Sequence, residues 1–316
     1  MENASISSKR KGASDVFNNK GNGTMRIGLI DVDSHNFPNL VLMKLSAYHK
    51  SKGDQVEMWN GLFHYDRVYQ SKVFDETYSK PFEWVVNADE VIKGGNGYDI
   101  KSKLPDEVEH TCPDYSLYGI TDTAYGYLTR GCPRGCSFCI VSEKEGKRSH
   151  QVAELSEFWR GEKNIVLLDP NITASKECEK LFDDLISTKA YIDFNQGLDV
   201  RLLTDKGADQ LNRMKLKMIH FAWDNYEMKT YEKLRAIKPL LKYDHHKLMA
   251  YVLVNYNTTI EQDLERIYKL KELGIDPYVM IYDKPHAPRE IKQMQRWCNA
   301  KWIFRSTEWE DYKCQL

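Results

Sequence analysis

The sequence predicts an α/β protein in which a small N-terminal α/β domain precedes a partial (βα)6 barrel of the TIM type. Short apolar runs and helical patterns alternate irregularly over residues 25–110, and from Thr123 onward they alternate six times in a regular order. Such regular alternation is typical of helices packed around a parallel sheet. A closed eight-unit barrel takes roughly 250 residues, whereas about 180 residues separate Thr123 from Lys301, so we expect an open barrel over residues 123–301.

Composition indicates an ordinary globular protein. The 316 residues are 41% hydrophobic, which suffices for a core, and 45 Lys and Arg against 46 Asp and Glu give a net charge of -1. The net charge therefore indicates no general attraction for nucleic acid. No stretch approaches the ~20 apolar residues that span a bilayer, and the N-terminus lacks the apolar core of a signal peptide. We therefore expect no membrane association and a cytoplasmic location.

The cysteine content favours metal ligation or burial over disulfides. The chain has seven cysteines, an odd number, at irregular spacing. In a chain of this length such a pattern does not predict a disulfide framework.

The N-terminal domain is predicted from short elements. Residues 1–24 are rich in Ser, Asn, Gly and Lys without an apolar period, so we expect a disordered extension. The run from Arg26 to Asp31 predicts a buried strand, and Val41, Leu45 and Tyr48 recur at helical spacing before Gly53. Further strands are predicted at residues 55–59, 66–74, 84–86 and 90–92. The domain is expected to end near residue 110, with a linker over 111–122.

The barrel strands are predicted at residues 124–130, 164–169, 191–195, 218–224, 248–254 and 276–281. The fifth helix has the clearest signals. Thr258 and Glu261 have capping-box spacing, apolar residues share one face, and Gly274 is a stop signal. Residues 302–316 are expected to form a C-terminal tail.

The segment directly after the first predicted barrel strand carries three closely spaced cysteines, Cys132, Cys136 and Cys139, in the pattern C-x3-C-x2-C. Loops at the carboxyl ends of barrel strands carry active sites. Iron–sulfur clusters are held by Cys thiolates, normally four for a [4Fe-4S] cluster, so three close ligands would leave one iron open. A structural zinc site with a distant fourth ligand is the alternative, but it would not explain the six βα units.

The cysteine spacing, together with the aromatic Phe138 before the third cysteine, resembles the signature of the radical S-adenosylmethionine (SAM) superfamily. The six predicted βα units also resemble the partial barrel of that family. The resemblance implies that Cys132, Cys136 and Cys139 hold an oxygen-sensitive [4Fe-4S] cluster whose open iron is chelated by SAM. An electron from the cluster would then break a sulfonium C–S bond, usually giving a 5'-deoxyadenosyl radical. It further implies that Phe138 lies beside the adenine, and that a reduced flavodoxin- or ferredoxin-type protein donates the electron.

The resemblance also suggests SAM contacts at the ends of the next strands. In the family, the second strand ends in a motif that meets the methionine amino group. Asp169 and Asn171 take that place here, although Leu-Asp-Pro-Asn departs from the common Gly-Gly-Glu. Asp224, which closes the fourth strand, is a candidate contact for ribose or substrate.

The third strand runs into a polar segment that includes Gln196, Asp199 and Arg201. All three are candidate SAM-binding residues. The planar guanidinium of Arg201 is suited to bidentate pairing with the SAM carboxylate. The equally favoured alternative is that Asp199 and Arg201 pair with each other and brace a loop.

The N-terminal domain resembles the Rossmann-like, cobalamin-binding-like domain of one large radical SAM subgroup. The segments Asp33-Ser34-His35, Ser71-Lys72-Val73 and Gly94-Gly95 are similar to the D-x-H-x-x-G, S-x-L and G-G elements of cobalamin sites. Pro38 replaces the motif glycine, however, and Val73 replaces the leucine. The three N-terminal cysteines of the methylthiotransferases are also missing. We therefore expect a degenerate site and favour the absence of cobalamin over its presence.

Three functional hypotheses follow. The first is an enzyme that cleaves SAM reductively and modifies an unidentified substrate. The second is cobalamin-dependent or methylthio-type methyl transfer. The third, from a different class, is a sensor that binds SAM and the cluster without turnover, which an assay for 5'-deoxyadenosine would distinguish. Local basic residues can face phosphate, an acidic electron donor or only solvent: Arg130, Arg134, Lys144, Lys147 and Arg148.

Overall fold

The computed structural model describes residues 23–34, 37–82 and 84–314. Nearly all of the extension expected over residues 1–24 lies outside these ranges, as does His35. The chain divides after Thr121 into two compact units, which correspond to the two predicted domains.

The first unit is a four-stranded parallel sheet with the strand order β2-β1-β3-β4. Its elements are β1 (Arg26–Asp31), α1 (Leu40–Ser51), β2 (Gln55–Met58), β3 (Tyr65–Ser71), β4 (Ala88–Gly94) and α2 (Asp106–Glu109). This Rossmann-like arrangement confirms the predicted fold. The predicted strand at 84–86 is wrong. Trp84 and Val86 are 76% and 89% exposed, so burial does not support a strand there.

One face of the first sheet is covered by α1. The helix begins after Asn39, whose side chain accepts a hydrogen bond from the Leu42 amide. The core on this side comprises Ile27, Leu29, Leu42, Leu45, Tyr48, Tyr69 and Val108. A smaller apolar cluster comprises Ile30, Tyr65 and Val68.

The predicted linker over residues 111–122 belongs largely to the first unit. The carboxylate of Asp114 accepts hydrogen bonds from Ser46 and Lys50 on α1, and the Tyr118 hydroxyl donates to Asp31. These long-range polar contacts leave no periodic pattern in the sequence, and they join residues 111–121 to the first unit.

The second unit is a six-stranded parallel sheet with the strand order β5-β8-β9-β10-β11-β12. Its main strands are β5 (Thr123–Gly126), β8 (Asn164–Leu167), β9 (Tyr191–Phe194), β10 (Lys215–Ala222), β11 (Leu248–Val254) and β12 (Asp276–Ile281). Its helices are α3 (Val141–Lys144), α4 (Cys178–Thr188), α5 (Asp205–Arg213), α6 (Met228–Ile237), α7 (Ile260–Glu272), α8 (Arg289–Asn299), α9 (Lys301–Ser306) and α10 (Trp309–Cys314). Neighbouring strands follow chain order, as in an open barrel of βα units, which confirms the prediction.

The first barrel strand is shorter than predicted. After Gly126 the chain leaves the sheet, and β6 (Thr129–Arg130) pairs antiparallel with β7 (His150–Gln151). The cysteine loop therefore follows a small separate ribbon and not the barrel strand itself.

Two further expectations in the second unit need correction. The capping box of α7 consists of Thr259 and Gln262, one residue beyond the predicted pair. The expected tail is folded: Phe304 and Trp309 are almost fully buried, and their rings lie 5.0 and 5.6 Å from that of Trp297 on α8. Among the described helices, none has the length and apolar character that crossing a membrane requires.

Candidate iron–sulfur site

The cysteine loop is anchored before its first cysteine. Gly131 has φ +86°, and a Cβ there would lie 2.2 Å from the Arg148 carbonyl oxygen, so only glycine fits. The Cys132 amide donates to the Gly146 carbonyl at 3.1 Å. The Glu145 carboxylate accepts hydrogen bonds from the Gly131 amide and the Arg130 guanidinium. Arg130 is therefore a loop anchor.

The three cysteines are free thiols at the carboxyl edge of the sheet. Burial raises the pKa of Cys136, and Asp224, Cys139 and Cys132 raise it further through their charges. These mutual effects place the three sulfurs and Asp224 in one electrostatic neighbourhood. Deprotonation would therefore need a compensating cation, which a bound metal supplies.

The three cysteine sulfurs do not all lie within 4.8 Å of one another in the described structure. Tetrahedral zinc with Zn–S bonds of about 2.3 Å needs sulfur–sulfur distances of about 3.8 Å, so ligation of one zinc ion by all three cysteines would require the sulfurs to move closer together.

Asp169 lies under the cysteine loop and holds the ribbon that precedes it. One carboxylate oxygen accepts from the Leu128 amide at 3.1 Å, and the other accepts from the amide and hydroxyl of Thr129. The residue is 4% exposed, and burial raises its pKa to about 6 in spite of these bonds. The predicted contact of Asp169 with the SAM amino group therefore stays a prediction, and its described hydrogen bonds are with the Leu128 amide and with the amide and hydroxyl of Thr129.

Asn171 contacts the first cluster cysteine. Its Nδ2 lies 3.4 Å from the Cys132 sulfur, and its Oδ1 accepts a hydrogen bond from Thr173. The side chain is nearly buried, and the Asn171 carbonyl accepts from Ser149. The structure thus places Asn171 at the site, beside a cysteine sulfur.

Asp199 and Arg201, which follow the third barrel strand, form an ion pair with each other. The Arg201 guanidinium donates to both oxygens of Asp199, at 2.8 and 3.2 Å, and Arg201 also lies 3.5 Å from Glu227. This geometry matches the loop-bracing alternative. Arg134 of the cysteine loop donates to the same carboxylate. Burial alone would raise the pKa of Asp199, but the two guanidinium groups hold it below its usual value.

Asp224 is the least satisfied acid of the site. Its Oδ1 is buried without a hydrogen-bond partner among the described residues. Burial raises its pKa to about 6, with Arg266 and Arg201 opposing the shift. The fully buried Arg266 donates to the carbonyls of Trp223 and Leu253, so it joins the ends of β10 and β11 beside this acid.

Two aromatic residues that the sequence did not single out, Tyr256 and Tyr282, complete the edge. Phe138 makes an edge-to-face contact with Tyr256, with ring centroids 5.1 Å apart, and Tyr256 makes another with Tyr282 at 4.7 Å. Tyr256 follows β11 and Tyr282 follows β12, so the cysteine loop reaches the far strands.

Gln196 lines a cavity of about 460 Å³ on the sheet. It is exposed. The cavity is lined by Asn195, Gln196, His220, Met249, Tyr251, Tyr278 and Met280.

Comparison with known proteins gives a match at the level of structure. No family model and no curated protein matches this chain. The structure of the radical SAM methyltransferase TsrM from Kitasatospora setae, with cobalamin and a [4Fe-4S] cluster bound, aligns with a TM-score of 0.60 and 11% identity over 82% of this chain and 75% of that chain. A TsrM structure with tryptophan substrate and the SAM analogue aza-SAM aligns with a TM-score of 0.42 and 12% identity over 80% of this chain and 67% of that chain. The first alignment shows that this chain has the fold of a radical SAM methyltransferase, a Rossmann-like unit followed by a partial barrel.

Proposed function

We propose that this chain is a radical SAM enzyme in which Cys132, Cys136 and Cys139 hold a [4Fe-4S] cluster. The observation that carries the proposal is the position of the three thiols, which lie together at the carboxyl edge of an open six-stranded parallel sheet. Three thiolates suit a cluster with one iron free for SAM. When bound, the cluster supplies the electron for reductive cleavage of SAM, and the protein provides orientation and exclusion of water.

The residues around the thiols have distinct parts in this proposal. Asp169 holds the ribbon before the loop, and the pair of Asp199 with Arg134 braces the loop from the third strand. The unpaired Oδ1 of Asp224 would accept a hydrogen bond from the amino group or a ribose hydroxyl of SAM, since a buried acceptor without a partner is costly. Phe138 and Tyr256 offer ring faces and edges for the adenine.

Two partners belong to the proposal. An electron must come from outside, and we propose a reduced flavodoxin- or ferredoxin-type donor, which is typically acidic. Lys147 and Arg148 are exposed just after the cysteine loop and would face it. The substrate remains an unidentified molecule bound on the sheet near the cysteines.

The proposal is tested by anaerobic reconstitution with iron and sulfide. We expect about four irons per chain, broad visible absorption and formation of 5'-deoxyadenosine from SAM under reducing conditions. Replacing Cys132, Cys136 and Cys139 together by Ala should remove all three signals. Cys178→Ala, which alters a thiol on α4, is the matched control and should keep them.

Other outcomes have defined meanings. Stoichiometric zinc with no iron uptake would reject the cluster. A cluster that binds SAM but yields no 5'-deoxyadenosine in the presence of a strong reductant would favour the sensor over the enzyme.

Methyl transfer through cobalamin is the second candidate function, because the similar TsrM structure holds cobalamin. In a Rossmann-like sheet the ligand crevice lies at the carboxyl edge between β1 and β3. Here Asp33 accepts hydrogen bonds from the amides of Val73 and Phe74, and Asn39 donates to Ser71. Among the described residues of the crevice, Asp33, Asn39 and Ser71 are therefore engaged within the unit, and this engagement supports the proposal that follows.

We therefore propose that the protein works without cobalamin. Titration of the reconstituted protein with hydroxocobalamin, followed by gel filtration, should leave no corrinoid on the chain, and SAM cleavage should proceed without the vitamin. Retention of one corrinoid per chain would contradict this and would place methyl transfer first.

A further inference from the structure

The turn that precedes β11 carries an aspartate and two histidines in succession, Asp244, His245 and His246. One oxygen or nitrogen atom of each side chain lies within 4.8 Å of those of the other two. Carboxylate oxygens and imidazole nitrogens are ligands of divalent metal ions. Among the described residues, no other group of three His, Cys, Asp or Glu side chains brings its ligand atoms this close together. The turn is therefore the candidate for a metal site outside the cysteine loop.

The backbone of this turn is fixed by hydrogen bonds. The Asp244 carbonyl accepts hydrogen bonds from the amides of Lys247 and Leu248, each at 2.9 Å. One oxygen of the Asp244 carboxylate accepts another from the His246 amide, also at 2.9 Å. Leu248 is the first residue of β11 and is fully buried, so the turn is joined directly to the sheet. The three side chains therefore start from a defined backbone.

The ligand atoms have no competing partners in the described part of the chain. The rings of His245 and His246 lie 4.1 Å apart between centroids, and no described residue makes a hydrogen bond to their nitrogens. The ammonium groups of Lys242 and Lys247 donate to backbone carbonyls of other segments, and no described Lys or Arg forms an ion pair with Asp244. The His246 amide holds the pKa of Asp244 below its usual value, so this carboxylate is ionised at neutral pH.

The donor set favours zinc over harder cations. Two imidazole nitrogens and one carboxylate oxygen suit Zn²⁺, whereas Mg²⁺ and Ca²⁺ prefer oxygen ligands alone. Tetrahedral zinc with bonds of about 2.1 Å holds its ligand atoms about 3.4 Å apart, so the three atoms would approach each other by about an ångström. Asp244 and His246 are exposed and His245 is half-buried, so side-chain rotations can supply this movement. A water molecule would take the fourth position.

The turn lies far from the cysteine loop. The strand β11 is parallel to both of its neighbours, so its first residue is at the amino edge of the sheet and its last residue is at the carboxyl edge. Its seven residues correspond to about 23 Å of extended chain. A metal ion at the turn would therefore act on the start of β11 and would not touch the proposed cluster.

We infer that Asp244, His245 and His246 bind one zinc ion, which clamps the turn in front of β11. This zinc site goes beyond the proposed function and does not depend on it. The hydrogen bonds of the turn preorganise the ligands in the folded chain. Zinc therefore binds the folded chain more tightly than the unfolded chain and raises the stability of the protein.

The test is zinc binding to the full-length reconstituted protein, measured by anaerobic equilibrium dialysis against zinc chloride. We expect one zinc per chain in addition to the iron, no displacement by excess Mg²⁺, and a melting temperature that rises with zinc concentration. Loss of a group that only orients a metal ligand weakens metal binding about 10–100-fold, and loss of the ligand itself costs more. His245→Ala and His246→Ala should therefore each weaken zinc binding at least about tenfold.

Two control proteins separate this site from other possible zinc sites. His286→Ala removes an exposed imidazole 2.9 Å from the Asp283 carboxylate and should bind zinc as the native protein does. The variant with Cys132, Cys136 and Cys139 replaced by Ala should still bind one zinc. X-ray absorption at the zinc edge of the native protein should show nitrogen and oxygen ligands without sulfur. Thermal melting without zinc checks that each variant folds.

Absence of zinc binding to the native protein would overturn the zinc site, as would binding that stays unchanged when both histidines are replaced, or sulfur ligands in the absorption spectrum. The proposed function fails separately. It fails if SAM is not cleaved to 5'-deoxyadenosine, whatever zinc does, whereas SAM cleavage by a protein whose histidines bind no zinc rejects only the zinc site.

Discussion

The two parallel sheets of this protein end in edges of opposite character. At the carboxyl edge of the first sheet, Asp33, Asn39 and Ser71 are hydrogen-bonded within the unit. Lys72 is an exception, since its buried ammonium has no described hydrogen-bond partner and lies 5.6 Å from the Tyr98 ring. At the same edge of the second sheet stand three free thiols and the unpaired oxygen of Asp224.

The buried histidines of the two units repeat this contrast. His49 in the first unit uses both ring nitrogens, at 2.7 Å from Asp54 and 2.9 Å from the Tyr69 hydroxyl. In His220 of the second unit, Nδ1 lies 3.1 Å from the Phe194 carbonyl oxygen, and no described residue makes a hydrogen bond to Nε2. Burial lowers the pKa of both.

The comparison of the two sheet edges distinguishes polar groups that stabilise the fold from polar groups that are available to a ligand. Polar groups that form hydrogen bonds with each other contribute to stability. Buried polar groups without hydrogen-bond partners lower stability and are candidates for ligand binding. By this criterion the described polar groups at the edge of the first sheet, Lys72 excepted, serve the fold, and the edge of the second sheet is the candidate for chemistry. Substitutions in the two units should therefore have different consequences.

The largest effect is expected at Asp169. Asp169→Ala leaves two buried amides and a hydroxyl without an acceptor, which should lower the free energy of unfolding by about 3 kcal/mol or more. The same change should release the cysteine loop and reduce iron uptake. Urea denaturation and iron analysis check both effects. Asp209→Ala, which removes a carboxylate exposed on α5, should change neither, and iron retention by Asp169→Ala would show that the loop does not depend on this acid.

A smaller and purely structural effect is expected at His49. His49→Leu removes one hydrogen bond from the buried Asp54 carboxylate and one from the Tyr69 hydroxyl, which keep their bonds to Met25 and Arg67. The free energy of unfolding should therefore fall by about 2 kcal/mol while iron content stays the same. His64→Leu, at an exposed ion pair with Asp89, is the control. A loss of iron in the His49 variant would break the separation between scaffold and site.

The lowered pKa of His49 predicts that its contribution to the free energy of unfolding depends on pH. Because the pKa of His49 is lowered in the folded state, the unfolded chain binds the proton more readily below pH 6.5. The contribution of His49 to stability is therefore fully present above that pH and is lost as the pH drops toward 5. His49→Leu should lose less stability than the native protein between the two pH values, since only the contributions that both proteins share are left. Urea titrations at pH 7.5 and 5.5 give the comparison, and equal slopes in both proteins would contradict it.

Local sequence patterns predicted many of the secondary-structure elements. The strands β1, β11 and β12 were predicted to the residue, because each is a continuous apolar run bounded by polar or turn residues. The cysteine motif was equally local. The strand predicted at residues 84–86 was wrong because an apolar run alone does not show that a neighbouring strand pairs with it. Trp84 and Val86 are exposed.

Side-chain partners were harder to predict. Their positions at strand ends made Asp169, Asn171 and Asp199 candidate site residues. A position at a strand end does not predict the hydrogen-bond partners of a side chain. Arg134 and Asp199 meet across 65 residues of sequence, and no local pattern links them. Arg266 was missed, although an acid and a base at i and i+3 on the buried side of α7, Asp263 and Arg266, were a usable signal.

The smallest effect is expected at Asn171, whose amide would act on the proposed cluster. The Nδ2 group lies 3.4 Å from the Cys132 sulfur, and N–H groups near cluster sulfurs raise the reduction potential because they stabilise the more negative reduced state. Asn171→Leu keeps the size of the side chain and removes the donor. A hydrogen bond of about 0.5–1.5 kcal/mol corresponds to roughly 20–60 mV for one electron, so the midpoint potential of the reconstituted cluster should fall by that amount. Redox titration followed by electron paramagnetic resonance measures it without turnover. Asn164→Leu, which alters an amide at the opposite end of β8, should leave the potential unchanged, and an unchanged potential in Asn171→Leu would mean that this amide does not act on the cluster.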